Sequence, residues 1–288
     1  MSRVPTHCLI NAQAVTDPLI DIADRGLRYG DGVFETIAIV DGKPALWDAH
    51  IHRLSLGCQR LGIPLPVREA LEKERDQLTF PAFGVLRITV TRGSGGIGYA
   101  PPVDPQPCRI LQIMPAANRP ADYWRAGVNV IRLQTPLAKQ PVLAGIKHLN
   151  RLEQVLGRQE WSDPNIAEGL MSTTDGDLVE ATSANLLLEA DGRVWIPDTH
   201  SSGVDGIMQA WLVEAIKARG GMVERGKILS SALESNYALM LCNSVFGLWP
   251  VVSVDAKPMP WPAWFAPLAK TIDKHRVALT PTVTGIAC

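Results

Sequence analysis

The chain has 288 residues, 46% of them hydrophobic and 20% charged, with a formal net charge of −1. That length gives a prior of two domains with a substantial core, and the balance of apolar and charged residues is that of a globular protein. Without a basic surplus there is no footprint for a nucleic acid or an acidic membrane surface, whereas a small anionic ligand needs only a local cluster.

Strand-like runs cover His7 to Asn11, Val33 to Val40, Gly84 to Thr91 and Arg109 to Met114, and helical patterns cover Asp48 to Leu61 and Val67 to Leu78. Asp41-Gly42, between Ile39-Val40 and Pro44-Ala45-Leu46, is a hairpin signal, so this half is expected to be mixed α and β with antiparallel pairing. The small, polar stretch Pro115-Ala-Ala-Asn-Arg-Pro120 places a boundary near Arg119, giving a smaller domain over 1–118 and a larger one over 119–288. Further strands are expected near Val128 to Leu133, Glu168 to Ser172, Asn185 to Leu188, Arg193 to Ile196 and Ala238 to Cys242, with a helix from about Ile207 to Arg219. Ser231-Ala-Leu-Glu234 has the form of a capping box opening one further short helix.

Ile146, Leu149, Leu152, Val155 and Leu156 recur at helical spacing, with Asn150, Arg151, Gln154 and Arg158 on the other face. This predicts an amphipathic helix with Lys147 at its entrance, beside the buried stripe. A lysine so placed is partly desolvated, which disfavours its charged form and frees the amine as a nucleophile or as a Schiff-base partner for an aldehyde. On periodicity alone, a surface lysine near a helix start is the commoner case.

Other motifs read as structure. Gly93-Ser-Gly-Gly-Ile-Gly98 matches a dinucleotide fingerprint by letter, which is the basis for a distant alternative, a nucleotide-binding oxidoreductase. The fingerprint must open a helix, and Tyr99-Ala-Pro-Pro-Val-Asp-Pro-Gln-Pro107 forbids one, so a mobile loop bordering the site is expected. His50 and His52 are two apart and do not face each other on a helix, and Asp175-Gly-Asp177 lacks the later ligands of a calcium loop, so no metal is expected. Trp261-Pro-Ala-Trp264 reads as packing at a chain turn. Five cysteines, Cys8, Cys58, Cys108, Cys242 and Cys288, lie scattered without a close pair, which argues against a disulfide framework or zinc site. With Arg3, His7, Asp17, Asp21 and Asp24 near the start and no long apolar run, no secretory signal or membrane anchor is visible, and a cytoplasmic location is expected.

Gly145-Ile-Lys-His-Leu-Asn-Arg-Leu-Glu-Gln-Val155 resembles the lysine segment of the 4-amino-4-deoxychorismate lyase family, within the branched-chain aminotransferase-like, fold type IV enzymes that use pyridoxal phosphate. Asp24-Arg-Gly-Leu-Arg-Tyr-Gly-Asp-Gly-Val-Phe-Glu-Thr36 resembles the opening signature of that superfamily, and His50-Ile-His-Arg-Leu54 its phosphate-arginine helix. Val179-Glu-Ala-Thr-Ser-Ala-Asn185 is similar to the segment that meets the pyridine nitrogen. Val204-Asp-Gly-Ile-Met208 and Leu241-Cys-Asn-Ser244 are similar to two phosphate-binding turns. The blocks run in the family's order from about Asn11 to about Val252, and the lysine segment with Arg92-Gly-Ser-Gly-Gly96 points to the lyase.

The resemblance implies a two-domain α+β enzyme of fold type IV, with pyridoxal 5'-phosphate between the domains. Lys147 would carry the cofactor and act as the base. Arg53 would bind the phosphate with the backbone of Ile207 and Met208 at a helix start, together with Asn243 and Ser244. Glu180 would face the ring nitrogen, and Val204 would pack on the ring. The implied reaction converts 4-amino-4-deoxychorismate to 4-aminobenzoate and pyruvate, for folate synthesis, by aldimine formation, proton abstraction and elimination. An aminotransferase of the same fold, acting on D-alanine or branched-chain amino acids, is the alternative. Relatives carry a second arginine where this chain has Ile97, so the substrate carboxylates are left to Tyr99, Arg92, Arg28 or Arg109. A homodimer is also implied.

Overall fold

The computed structural model describes residues 7–66, 68–235 and 237–280; Arg3, Val67 and Cys288, named above, lie outside them. The chain divides into two compact units, one running to Ala117 and including Ile146–Asn150, the other made of Asn118–Gly145 and the chain from Arg151 onward.

The first unit contains β1 (His7–Ile10), β2 (Gln13–Ala14), α1 (Arg25–Tyr29), β3 (Gly32–Val40), β4 (Lys43–Pro44), α2 (Trp47–Leu61), α3 (Arg68–Asp76), β5 (Phe83–Thr91) and β6 (Cys108–Met114). The strands form a six-stranded sheet in the order β2-β1-β6-β5-β3-β4, and every pairing is antiparallel. Asp41 and Gly42 both have positive φ, 50° and 75°, the geometry a tight turn between β3 and β4 requires. Val33, Ile37 and Ile39 of β3 pack with Leu86, Ile88 and Val90 of β5 against Trp47, Ile51, Leu54 and Cys58 of α2. Each such buried aliphatic side chain contributes roughly 1.5–3 kcal/mol relative to exposure. Glu35, on that same face of β3, is fully buried.

The expected helix from Ile146 does not form over its first half. Residues 147–149 instead bridge to the start of β3, through Phe34 N–H to Lys147 O at 2.9 Å and Leu149 N–H to Gly32 O at 2.9 Å. Backbone groups satisfied on a strand have no need of a helical turn. Gly32 makes room for this pairing, since a Cβ there would lie 2.7 Å from Leu149 Cδ1.

The second unit contains α4 (Asp122–Arg125), β7 (Val128–Arg132), α5 (Leu152–Arg158), β8 (Ile166–Ser172), β9 (Leu178–Ala181), β10 (Asn185–Ala190), β11 (Arg193–Pro197), α6 (Ile207–Lys217), β12 (Met222–Gly226), β13 (Ala238–Asn243), β14 (Gly247–Val254), β15 (Lys257–Pro258) and α7 (Phe265–His275). Its nine-stranded sheet runs β12-β11-β10-β13-β14-β7-β8-β9, with β15 on β14. Pairs β11–β12, β14–β7 and β7–β8 are parallel and the rest antiparallel. Leu186, Leu188, Leu239, Leu241, Trp249 and Val251 anchor the core, with Phe246 stacked on Trp249 at 3.6 Å.

Only the second half of the expected amphipathic helix exists, as α5, and its stripe is inverted. Leu152, Val155 and Leu156 are 75%, 50% and 53% exposed. Ser231-Ala-Leu-Glu234 is not a capped helix either. It lies in a 3₁₀ turn over Ser230–Glu234 without a side-chain cap, because Glu234 instead receives Lys257 at 2.9 Å and Arg132 at 2.7 Å.

Candidate active site

Lys147 belongs to the first unit. Its Nζ stands 4.6 Å from the Phe34 ring centroid, and the backbone of Phe34 fixes that of Lys147. Behind β3, Glu35 receives Arg53 Nε on Oε1 at 2.8 Å and Arg53 Nη2 on Oε2 at 2.6 Å, a two-pronged pair. His50 Nδ1 is 2.6 Å from Glu35 Oε2. Burial works to raise the pKa of Glu35, but the Arg53 charge and the bonds from His50 and Arg53 outweigh it and hold it at about 2. Burial lowers the pKa of His50, against the pull of Glu35, and the charges of Arg53 and Lys147 lower it further. A carboxylate only accepts, so Nδ1 carries the imidazole proton. Nε2 is then a buried acceptor without a hydrogen-bond partner among the described residues.

In the second unit, Glu180 accepts Val204 N–H on Oε2 at 2.9 Å. Asn185 Nδ2 donates to Val204 O at 2.8 Å, so both backbone groups of Val204 are held. α6 follows at once, with Gly206 as an extended N-cap and no side-chain cap. A Cβ on Gly206 would lie 1.8 Å from Asn185 Oδ1, so only glycine permits this turn. The first N–H groups of α6, those of Ile207 and Met208, lack intrahelical acceptors, the arrangement in which a helix start can receive an anion. The turn after β13 is built by Asn243, whose Oδ1 accepts Val245 N–H at 2.9 Å and Phe246 N–H at 2.8 Å. Its Nδ2 donates to Ser183 O at 3.0 Å. Asn243 thus spends its side chain shaping the turn that presents Ser244.

A carboxylate bonded to the turn that opens an uncapped helix suits a ligand with a protonated ring nitrogen and a phosphate. The donor set therefore fits pyridoxal phosphate. Two residues before Lys147, Gly145 is tied to the same turn, by Gly145 N–H to Gly203 O at 2.9 Å and Asp205 N–H to Gly145 O at 3.0 Å.

The sequence profile of the amino-transferase class IV family matches residues 32–254. The chain belongs to the class IV aminotransferase family. It is 32% identical over 241 residues to the aminodeoxychorismate lyase of Vibrio harveyi, across 82% of this chain and 88% of that protein. To the D-alanine aminotransferase of Bacillus licheniformis it is 26% identical over 248 residues, across 83% and 84%. Among solved structures, the 4-amino-4-deoxychorismate lyase of Pseudomonas aeruginosa matches with a TM-score of 0.88 at 39% identity, covering 93% of this chain and 98% of that one. The fold is accordingly the two-domain fold type IV of class IV aminotransferases.

Within this class IV chain, the four residues considered for substrate carboxylates have varied surroundings. Arg92 is buried, with Nε and Nη2 on Asp31 at 2.7 and 3.0 Å. It also donates to Gly62 O and Leu61 O at 2.7 and 2.6 Å, closing the end of α2. Arg109 pairs with Glu74 at 2.7 Å. Arg28 Nε donates to Ile22 O at 3.1 Å. Tyr99 is exposed and stands 5.4 Å from the Tyr29 ring. The loop around it is tied to Arg25, whose Nη1 and Nη2 donate to Gly98 O, Ala100 O and Tyr99 O at 3.2, 3.2 and 2.9 Å.

Sequence reasoning missed Arg87. Its guanidinium lies 4.3 Å from the centroid of the same Phe34 ring that Lys147 approaches. Burial lowers its pKa, and among the described residues no carboxylate offsets that effect. Arg87 faces Thr36 across the β3–β5 ladder, a long-range pairing that no local period in the sequence discloses. Among the described residues no group of three or more His, Cys, Asp or Glu could hold a metal ion, and no helix is long and apolar enough to cross a membrane.

Proposed function

We propose that this chain is a pyridoxal 5'-phosphate-dependent lyase that converts 4-amino-4-deoxychorismate to 4-aminobenzoate and pyruvate. The observation that carries this is the bond from Val204 N–H to Glu180 Oε2, which joins an acid partner for a ring nitrogen to an anion-binding helix start. The match to lyases over most of the chain directs the choice of substrate.

When bound, the cofactor supplies an electrophilic aldehyde and an electron sink. Lys147 Nζ holds the cofactor and then takes the proton from the substrate carbon that bears the amine. Glu180 keeps a proton on the ring nitrogen. Arg53, the first amides of α6 and Ser244 bind the phosphate, and Val204 packs on the ring. Arg53 enters this role already oriented by Glu35. Loss of that carbon proton lets the enolpyruvyl ether leave as pyruvate after it gains a proton, and aromatisation of the remaining ring drives the step forward. Arg87 attracts a substrate carboxylate beside Lys147, the place left open by Ile97, with Tyr99, Arg92, Arg28 and Arg109 as the other candidates.

The enzyme acts as a homodimer in this proposal. Its support is the outward apolar stripe Leu152, Val155 and Leu156, which water penalises and a second copy would cover. A cytoplasmic site of action accords with Cys8, Cys58, Cys108 and Cys242 forming no disulfide.

Incubating the enzyme with aminodeoxychorismate and cofactor should yield pyruvate and 4-aminobenzoate in equal amounts. Vigorous transamination of D-alanine or branched-chain amino acids with no elimination would replace this function with that of an aminotransferase.

A further inference from the structure

We infer that Gln154 is a positioning residue, which holds the Glu180 carboxylate in its working orientation; this rests on Glu180 being the partner of the ring nitrogen. Gln154 lies on α5, and its Nε2 donates to Glu180 Oε1 at 3.3 Å. The other oxygen of Glu180 is taken by Val204 N–H at 2.9 Å. A carboxylate bonded on both oxygens, from a helix on one side and a turn on the other, cannot swing about its last torsion.

Two features separate this arrangement from ordinary packing. α5 is turned inside out: its apolar residues Leu152, Val155 and Leu156 are exposed, while the polar Gln154 reaches inward. Glu153, beside it, also serves a backbone group, accepting Ala138 N–H at 2.8 Å. The second feature is a cost. Glu180 only accepts, so Gln154 must present its NH₂ group to it. The amide oxygen Oε1 is consequently buried with no hydrogen-bond partner among the described residues. An unsatisfied buried acceptor is costly, and an apolar side chain of similar size would remove that cost. Stability alone therefore does not account for glutamine at this position, whereas the donated bond does.

The test uses Gln154→Leu and Glu180→Gln, singly and combined, each loaded with pyridoxal phosphate. The lost bond and the relieved oxygen are of the same order, so Gln154→Leu should melt close to the parent temperature. It should keep the borohydride-trappable adduct on Lys147, shift the visible absorption of the bound cofactor and lower kcat on the order of tenfold with little change in KM. On the Glu180→Gln background the same substitution should add no further shift, because residues that act through one contact are not additive. Gln154→Met repeats the comparison with a longer apolar chain. An unshifted spectrum in Gln154→Leu, equal shifts on both backgrounds, or loss of folding in both apolar variants would overturn the role of Gln154. Absence of any adduct in the parent enzyme would instead overturn the assignment of the cofactor site itself.

Discussion

The first unit carries its candidate residues as side chains: Glu35, His50 and Arg53 cluster behind β3, and Lys147 and Arg87 meet the Phe34 ring. The second unit carries its candidates largely as main chain, with the amides of Val204, Ile207 and Met208 at a turn that Glu180 and Asn185 pin from outside and a separate turn after β13 held by Asn243. Side-chain networks carry charge and respond to pH and to single substitutions. Backbone cradles carry fixed dipoles, and they fail only when a turn cannot close. The first unit is thus where substitutions should divide chemistry from binding.

Lys147→Ala gives the sharpest division. It should abolish the borohydride-trapped adduct and lower turnover by about 10²–10⁴-fold or more, the range for a lost general base, while the protein stays folded. A reducible adduct persisting in that variant would move the lysine role elsewhere. Next, Arg53→Ala should weaken cofactor retention by roughly ten- to a hundredfold, the worth of one charge-assisted contact. Arg92→Ala should retain cofactor better than Arg53→Ala, and lower the melting temperature, since Arg92 closes α2 and pairs with Asp31. The opposite order of retention would remove Arg53 from the phosphate.

Glu35 should make the first unit sensitive to acid. Its pKa falls from the ordinary 4.5 to about 2 on folding, so its contribution to stability is present above 4.5 and disappears as pH falls through about 2. Between pH 5 and pH 3 the stability gap between the parent and Glu35→Gln should narrow by about 2 kcal/mol. Chemical denaturation at the two pH values measures it. A gap that stays constant would mean that Glu35 is not ionised against Arg53.

Legibility in the sequence followed the same division. β3, β5 and α2 announced themselves by period, and Asp41-Gly42 by its turn chemistry, because one buried face and one tight turn dictate those letters. β14 did not. A proline cannot donate to a ladder, and the parallel ladder to β7 begins at Val251, one residue beyond Pro250. The lysine segment misled for a related reason: Ile146 and Leu149 continue the spacing of Leu152 and Val155, but 147–149 satisfies its backbone on β3 instead. Local period cannot reveal a long-range strand partner, nor that an apolar stripe faces outward. Glu35 and His50 lay inside matched blocks, and the pairing of Glu35 with both His50 and Arg53 was visible only once β3 and α2 were packed.

Arg87 tests the remaining part of the comparison, whether the first unit also selects substrate. A guanidinium with no carboxylate partner among the described residues is costly to hold half-buried, and the Phe34 face offsets only part of that cost, about 0.5–2 kcal/mol for a cation over an aromatic ring. An arriving carboxylate would supply the rest, through two parallel bonds that lysine cannot reproduce. Arg87→Leu should therefore raise KM about tenfold with kcat nearly unchanged, the signature of binding shared by ground and transition states. Arg87→Lys should fall between the two, and cofactor retention should stay at the parent level in both because the phosphate is held by other groups. If KM is unmoved in Arg87→Leu, the carboxylate lies with Tyr99, Arg28 or another cation, and the guanidinium on Phe34 serves packing alone.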